Sequence, residues 1–186
     1  MLLFEQIIKN VNINLNVSLF FIFQSNVFYV SANCPLKGTV RELAIMREQD
    51  KYANMFRYVP DRKQLSYCDQ IRATLWSRAS GLNYYPMADE RAKNHAMLAR
   101  DVQRYFDNDT CLHLIIFKGD IYNLLRPLLP PNYSLENFES PLKITAGDKG
   151  NECEYHEWKR SLLPYQECAL TELVALKRTV LELRTK

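Results

Sequence analysis

The sequence has few glycines and no long apolar run. Only five of its 186 residues are glycine, and it contains no low-complexity tract after residue 30, which argues against extended disorder. The best apolar run, residues 18–30, is interrupted by Gln24, Ser25 and Asn26 and falls short of the roughly 18 residues that a membrane-spanning helix needs. We therefore expect a globular protein without a membrane span.

Charge of one sign is also lacking. The net charge is +3, and basic residues alternate with acidic ones along the whole chain. A dedicated nucleic-acid surface needs a concentrated basic face, so we expect no direct nucleic-acid contact. Basic residues such as Arg57, Arg72 and Arg78 are interpreted as the solvated side of helices.

Catalytic motifs are absent as well. The sequence has no G-x-S-x-G nucleophile motif and no glycine-rich phosphate loop. Its three histidines, His95, His113 and His156, are scattered, and His113 lies in an apolar run where a core role is expected rather than general-base chemistry. These features favour a protein without enzymatic activity and imply no cofactor.

The five cysteines are far apart and odd in number. In a nuclear or cytoplasmic protein we expect free thiols, and in a secreted protein two bridges would leave one cysteine unpaired. Cys153 and His156 form a C-x-x-H pair, and Cys168 follows twelve residues after His156. A structural zinc site needs two close ligand pairs, and the second pair is missing from the sequence. We therefore predict no metal site.

The first 24 residues differ from the rest in composition. Val11, Ile13, Leu15 and Val17 alternate with asparagines, as in a β-strand. A signal peptide ending at the small residues 30–32 is an alternative, and that reading makes the protein secreted. The AT-rich codons and the Leu-Phe-Phe-Ile-Phe-Gln ending also match a translated intron. We therefore interpret residues 1–24 as a non-native or signal-like leader. Residues 25–186 are interpreted as one helical domain, either complete or truncated.

Hydrophobic periodicity predicts helices over residues 39–58, 65–80, 88–106 and 154–184. Thr39 and Glu42 match a helix-capping box at the start of the first. Residues 111–117 are predicted as a short strand and residues 121–126 as one or two helical turns. The predicted fold class is mainly α, an antiparallel helical sandwich with at most one short β element.

Two stretches resemble parts of the nuclear receptor ligand-binding domain. The first is Lys51-Tyr-Ala-Asn-Met-Phe56, followed by Leu65-Ser-Tyr-Cys-Asp69-Gln70-Ile71, whose L-x-x-x-D-Q-I string matches the family signature. The second, Leu170-Thr-Glu-Leu-Val-Ala-Leu-Lys-Arg-Thr-Val-Leu181, is similar to the eighth helix of that domain. The divergent, nematode-type receptors fit these stretches best.

The resemblance implies a non-enzymatic fragment of a ligand-binding domain that acts in transcription regulation. A lipophilic ligand is expected in a pocket lined by Leu43, Met46, Leu75 and Trp76. Lys51 is expected to hold the end of a coregulator helix. Two alternatives stay open, a helical protein-interaction module of another family and a secreted transferase-type enzyme. An exposed apolar groove favours the module, whereas a histidine beside a carboxylate or thiol in a cleft favours the enzyme.

Overall fold

A mixed β-sheet forms the centre of the protein. The computed structural model describes residues 26–60, 65–80, 82–85, 92–106, 112–145 and 168–185. Within these ranges six strands join in the order β4-β3-β2-β1-β5-β6. The strands are β1 (Asn26–Asn33), β2 (Glu42–Arg47), β3 (Asn54–Val59), β4 (Lys93–Asn94), β5 (His113–Phe117) and β6 (Tyr133–Asn137).

The sheet combines an antiparallel half with a parallel half. Strands β1, β2 and β3 form consecutive antiparallel pairs, and β4 pairs in parallel with β3. On the other side, β5 is parallel to β1 and β6 is parallel to β5. All strands except β2 therefore run in the same direction, and their carboxyl ends lie at one edge of the sheet.

Four α-helices accompany the sheet in the described ranges. Helix α2 and the short helix α3 pack on one face, and α4 packs on the other. The helices are α1 (Tyr67–Ser80), α2 (Leu98–Tyr105), α3 (Tyr122–Leu125) and α4 (Ala169–Arg184), with 3-10 turns at His95–Met97 and Arg126–Leu128.

The central strand β1 is buried on both faces. Its even-numbered residues Phe28 and Val30 join a core with α2, in which the rings of Phe28 and Phe106 lie 5.1 Å apart at 67°. Tyr29, on the opposite face, joins a second core with Leu173 and other residues of α4. A strand that is covered on both faces gives an apolar run without alternation, which is the pattern of residues 27–30.

The predicted helix over residues 39–58 is wrong, and with it the mainly α fold class. These residues form strands β2 and β3, so the protein is an α/β protein with a six-stranded sheet. Thr39 does not cap a helix; its N–H donates to the carbonyl of Leu36 at 3.0 Å, in a turn where Gly38 has φ 75°. Glu42, the other half of the predicted capping box, lies in β2 opposite Arg57.

Several other elements are confirmed. The helix predicted over residues 65–80 is α1, and the strand predicted within residues 111–117 is β5. The helical turns predicted at 121–126 are α3 and the 3-10 turn after it. Of the helix predicted over 88–106, residues 98–105 are helical, and Leu98, Val102 and Phe106 are buried.

Three sequence predictions fall partly or wholly outside the described residues. The strand pattern at residues 11–17 and the leader, residues 1–24, lie outside them, and so does the first part of the helix predicted over 154–184. The signal-cleavage site considered at residues 30–32 lies inside β1. Cleavage there would remove most of the central strand.

Arg41 is the largest fully buried side chain of the described residues. Its Nε donates to the carbonyl of Asn83 at 3.0 Å, and its Nη1 donates to the carbonyl of Tyr58 at 2.9 Å. The guanidinium thus ties β3 and the segment after α1 to the start of β2.

Replacing Arg41 by methionine should lower the free energy of unfolding by about 2–4 kcal/mol. The substitution leaves two buried carbonyl groups without this charged donor, at a cost of about 1.5–3 kcal/mol for each strong bond before relaxation. Urea unfolding monitored by circular dichroism measures the change. The matched control is Arg72→Met, whose side chain is 72% exposed and should change the free energy by less than about 0.5 kcal/mol. Equal effects of the two variants would contradict the structural role of Arg41.

Three acidic groups in the interior keep their protons to unusually high pH. Burial, with a hydrogen bond to Glu48 at 2.7 Å, raises the pKa of Tyr29. Burial and the nearby charge of Asp101 raise the pKa of Tyr58. Burial also raises the pKa of Cys34 to about 11.

Stability should therefore fall as the pH rises above about 9, where the cysteine of the unfolded chain begins to lose its proton. Over that range the folded state binds more protons than the unfolded state, so each group lowers the free energy of unfolding by at most about 1.4 kcal/mol per pH unit. Urea unfolding at a series of pH values measures the slope. Tyr58→Phe should make the decline shallower, and Tyr52→Phe, at an exposed position, should not. A slope that is identical in both variants would contradict the assignment.

Candidate functional site

The structure does not bring the predicted ligand-pocket residues into one chamber. Leu43 and Met46 are both on β2, but they face opposite sides of the sheet and belong to different cores. Leu75 on α1 is 58% exposed, and its neighbour Trp76 is half-buried. The helix pair that the receptor resemblance required does not exist, because residues 42–47 and 54–59 are strands.

Lys51, the predicted coregulator contact, lies in the exposed connection between β2 and β3. Its Nζ is 5.3 Å from the ring centroid of Tyr52, which is itself exposed. The lysine therefore does not lie at the end of a helix groove.

His113 is a core residue, as predicted. It is buried on β5, and its ring stacks on that of Tyr133 with centroids 4.5 Å apart. Cys153 and His156 lie outside the described residues, whereas Cys168 is buried at the N-cap of α4. In the described ranges, no group of three histidine, cysteine, aspartate or glutamate side chains is arranged to hold a metal ion.

Helix α1 has its apolar residues on the outside. Tyr67, Ile71 and Leu75 recur every four residues and are 77%, 43% and 58% exposed. The opposite side of the helix carries the buried small residues Ala73 and Ser80 and the half-buried Trp76. This order is the reverse of an ordinary surface helix, whose apolar stripe faces the core. We call Tyr67, Ile71 and Leu75 the α1 stripe.

Hydrogen bonds at both ends hold α1 in this rotation. At the start, the N–H of Asp69 donates to Ser66 Oγ at 3.2 Å, and the serine hydroxyl donates to Asp69 Oδ2 at 2.7 Å. At the end, Ser77 Oγ accepts from the N–H of Tyr84 at 3.1 Å, and Ser80 Oγ accepts from the N–H of Leu82 at 3.2 Å. Ser77 and Ser80 therefore tie the end of the helix to the segment that follows it, on the side opposite to the apolar stripe.

A cleft of about 410 Å³ adjoins the first turns of α1. Lys37 and Arg72 supply positive charge to its wall, and Asp69 is an acidic residue in that wall. Asp69 is already engaged by Ser66 and by Arg72, whose Nη1 lies 3.7 Å from Asp69 Oδ1. Further along the helix Arg78 is exposed. When Asp69 and Arg72 are counted as a pair, Lys37 and Arg78 leave the described surroundings of the α1 stripe with a net positive charge.

A buried polar cluster lies under α4 at the carboxyl end of β1. Asn33 Nδ2 donates to Glu42 Oε2 at 2.9 Å, and Arg57 Nε lies 3.5 Å from Glu42 Oε1. Two residues before Asn33 on β1, the hydroxyl of Ser31 donates to Glu172 Oε2 of α4 at 2.9 Å. These residues form a polar row across β1, β2 and β3 on the α4 face. The hydrogen bond from Ser31 to Glu172 links this row to α4, whereas the contacts among Asn33, Glu42 and Arg57 join the three strands.

Neither the α1 stripe nor the polar cluster was predicted from the sequence. Ile71 and Leu75 lie four residues apart, which is helical spacing, but the face that they share is the outer one. Small residues spaced as Ala73, Ser77 and Ser80 are a signal for the inner face, since small side chains allow close approach to a neighbour. For the polar cluster no local signal exists, because Glu42 and Arg57 meet only through the pairing of β2 with β3.

No protein-family model matches this chain, and neither does any curated protein. Among the described residues, none of the helices combines the length and the apolar character required to cross a bilayer. Function is therefore inferred from the geometry of the described residues.

The ion pair in the polar cluster should show strong coupling in a double-mutant cycle. Glu42→Leu alone and Arg57→Met alone each leave a partner in a buried site, at a cost of about 3–5 kcal/mol in comparable pairs. The double variant should lose clearly less than the sum of the two. Urea unfolding of the four proteins measures the coupling. Additive losses would show that the two side chains act independently.

Proposed function

We propose that this chain is a non-catalytic interaction module that binds an amphipathic helix of a partner protein along the α1 stripe. The observation that carries the proposal is the exposure of Tyr67, Ile71 and Leu75 on one face of a helix that buries small residues instead. Contiguous exposed apolar side chains of this kind mark interaction surfaces. Residues at this spacing also match the i, i+4 anchors by which helices pack together.

The size of the stripe suits a short helix. Eight residues of α-helix separate Tyr67 from Leu75, a length of about 12 Å or just over two turns. Removing each large apolar side chain from water contributes about 1.5–3 kcal/mol. Part of that gain offsets the loss of rotational and translational freedom on binding. An affinity in the micromolar range is the expected result.

The charges around the α1 stripe indicate which charge the partner helix carries beside its apolar face. Arg72 and Asp69 pair with each other, so Lys37 and Arg78 supply the net positive charge. A helix with acidic residues beside its apolar face meets opposite charge, whereas a basic one is repelled. The same charges argue against a second copy of this chain as the partner, because two α1 helices would bring like charges together.

This proposal corresponds to the helical protein-interaction module, one of the two alternatives left open by the sequence. Its partner is a helix, as in the coregulator contact that the receptor resemblance implied. Binding of a lipophilic ligand and a role in transcription stay predictions that no observation here tests. The fold that the receptor resemblance implied is wrong, and Leu43, Met46, Leu75 and Trp76 do not share one chamber. Nothing in the described residues favours the transferase alternative.

The double substitution Ile71→Ser with Leu75→Ser should weaken binding of an acidic amphipathic helix about tenfold or more. The two changes remove most of the aliphatic surface that the partner helix covers. A fluorescent peptide with leucines at helical spacing and flanking glutamates, titrated with the full chain and followed by anisotropy, measures the affinity. A peptide with lysines in place of the glutamates should bind more weakly than the acidic one.

The matched control is Leu112→Ser, which removes an exposed leucine outside α1 and should leave the affinity unchanged. Circular dichroism establishes that each variant is folded. Peptide binding that is insensitive to the stripe variant would refute the proposal. So would stripe-dependent dimerisation of the chain in place of peptide binding, measured by sedimentation.

A further inference from the structure

A basic groove lies between α2 and the proline-rich segment after α3. It has a volume of about 610 Å³. Arg100, Gln103 and Arg104 of α2 line one side, and Pro127, Pro130 and Pro131 line the other. One wall therefore carries charge, and the opposite wall is apolar and rigid.

The two arginines of this groove are unopposed. Neither Arg100 nor Arg104 forms an ion pair or a hydrogen bond with any other residue in the part of the chain that the structure describes. They are four residues apart on one helix, where like charges repel each other. The acidic residue of α2, Asp101, does not neutralise them, because it faces inward and binds Lys93 Nζ at 2.8 Å.

The groove is built on a rigid element. Leu98, Val102 and Phe106 fix α2 against the sheet from its inner face. Asp101 adds a second anchor by accepting a hydrogen bond from the Tyr58 hydroxyl at 3.2 Å. The two guanidinium groups therefore start from a fixed backbone, which lowers the entropy that a ligand must remove.

We propose that this groove binds an extended peptide that carries a phosphoryl group, with Arg100 and Arg104 holding the phosphate. Guanidinium groups bind phosphate oxygens through paired N–H donors, and two of them four residues apart on a helix can grip one dianion. Clusters of arginines are a recurrent solution for the recognition of phosphorylated peptides. The proline wall offers the remaining backbone of such a peptide an apolar surface to lie on.

The lining favours a peptide over a nucleic acid. Single-stranded nucleic acids are held by aromatic side chains on which the bases stack. Phe106 is the aromatic residue that lines this groove, and it is 1% exposed, so no ring face is available to a base. The proline wall also has no charged side chain that could bind further phosphates of a nucleic acid.

The experiment measures binding of a short fluorescent peptide with one phosphoserine between prolines to the full chain by anisotropy. Matched peptides carry serine or glutamate in place of the phosphoserine. The phosphorylated peptide should bind at least about tenfold more tightly than the serine peptide, with the glutamate peptide between them. Arg100→Gln combined with Arg104→Gln should reduce the affinity for the phosphopeptide about tenfold to a hundredfold.

The control for net charge is Lys51→Gln combined with Lys143→Gln, which removes two exposed positive charges outside both proposed surfaces and should leave phosphopeptide binding nearly unchanged. Inorganic phosphate and a single-stranded RNA are used as competitors, and both should compete poorly. Equal losses in the two double variants, equal binding of the serine and phosphoserine peptides, or tighter groove-dependent binding of the RNA would each overturn the proposal. Thermal unfolding of both variants establishes that a loss of binding is not a loss of fold.

Discussion

The whole architecture depends on the burial of β1 on both of its faces. This strand pairs with β2 on one side and β5 on the other, so it joins the antiparallel half of the sheet to the parallel half. Phe28 and Val30 hold α2 against one face, and Tyr29 holds α4 against the other. Each helix layer is thus placed by alternate residues of one strand. The α1 stripe and the basic groove lie outside these two cores, and their side chains are left for solvent or for a partner.

The same burial explains which parts of the fold the sequence predicts. Helix α2 was found because its inner residues Leu98, Val102 and Phe106 keep helical spacing while the outer residues are charged. Strand β2 was missed because it is covered on both faces, so Leu43, Ala44, Ile45 and Met46 form a run without the period of two. Such a run resembles part of a buried helix until its pairing partners are known.

Charged residues made the error in β2 and β3 larger. Glu42, Arg47 and Arg57 look like the solvated side of a helix, and Thr39 with Glu42 imitates a capping box. In the structure Glu42 is fully buried and meets Arg57 across two strands. A contact of this kind depends on strand register, and no local window of sequence contains it. For α1 the element was predictable but its rotation was not, because the serine contacts that set the rotation involve residues after the helix.

In the described residues, some charged groups are buried and some large apolar side chains are exposed. Ion pairs are placed in the interior, as with Glu42 and Arg57, although burying charge is costly. Apolar side chains on α1 and unopposed arginines on α2 are left outside, where each has a cost in isolation. The interior charges fix the helices and strands in register without any ligand. The two surface features are open to a partner, and the binding proposals therefore rest on these surfaces and not on an internal cavity.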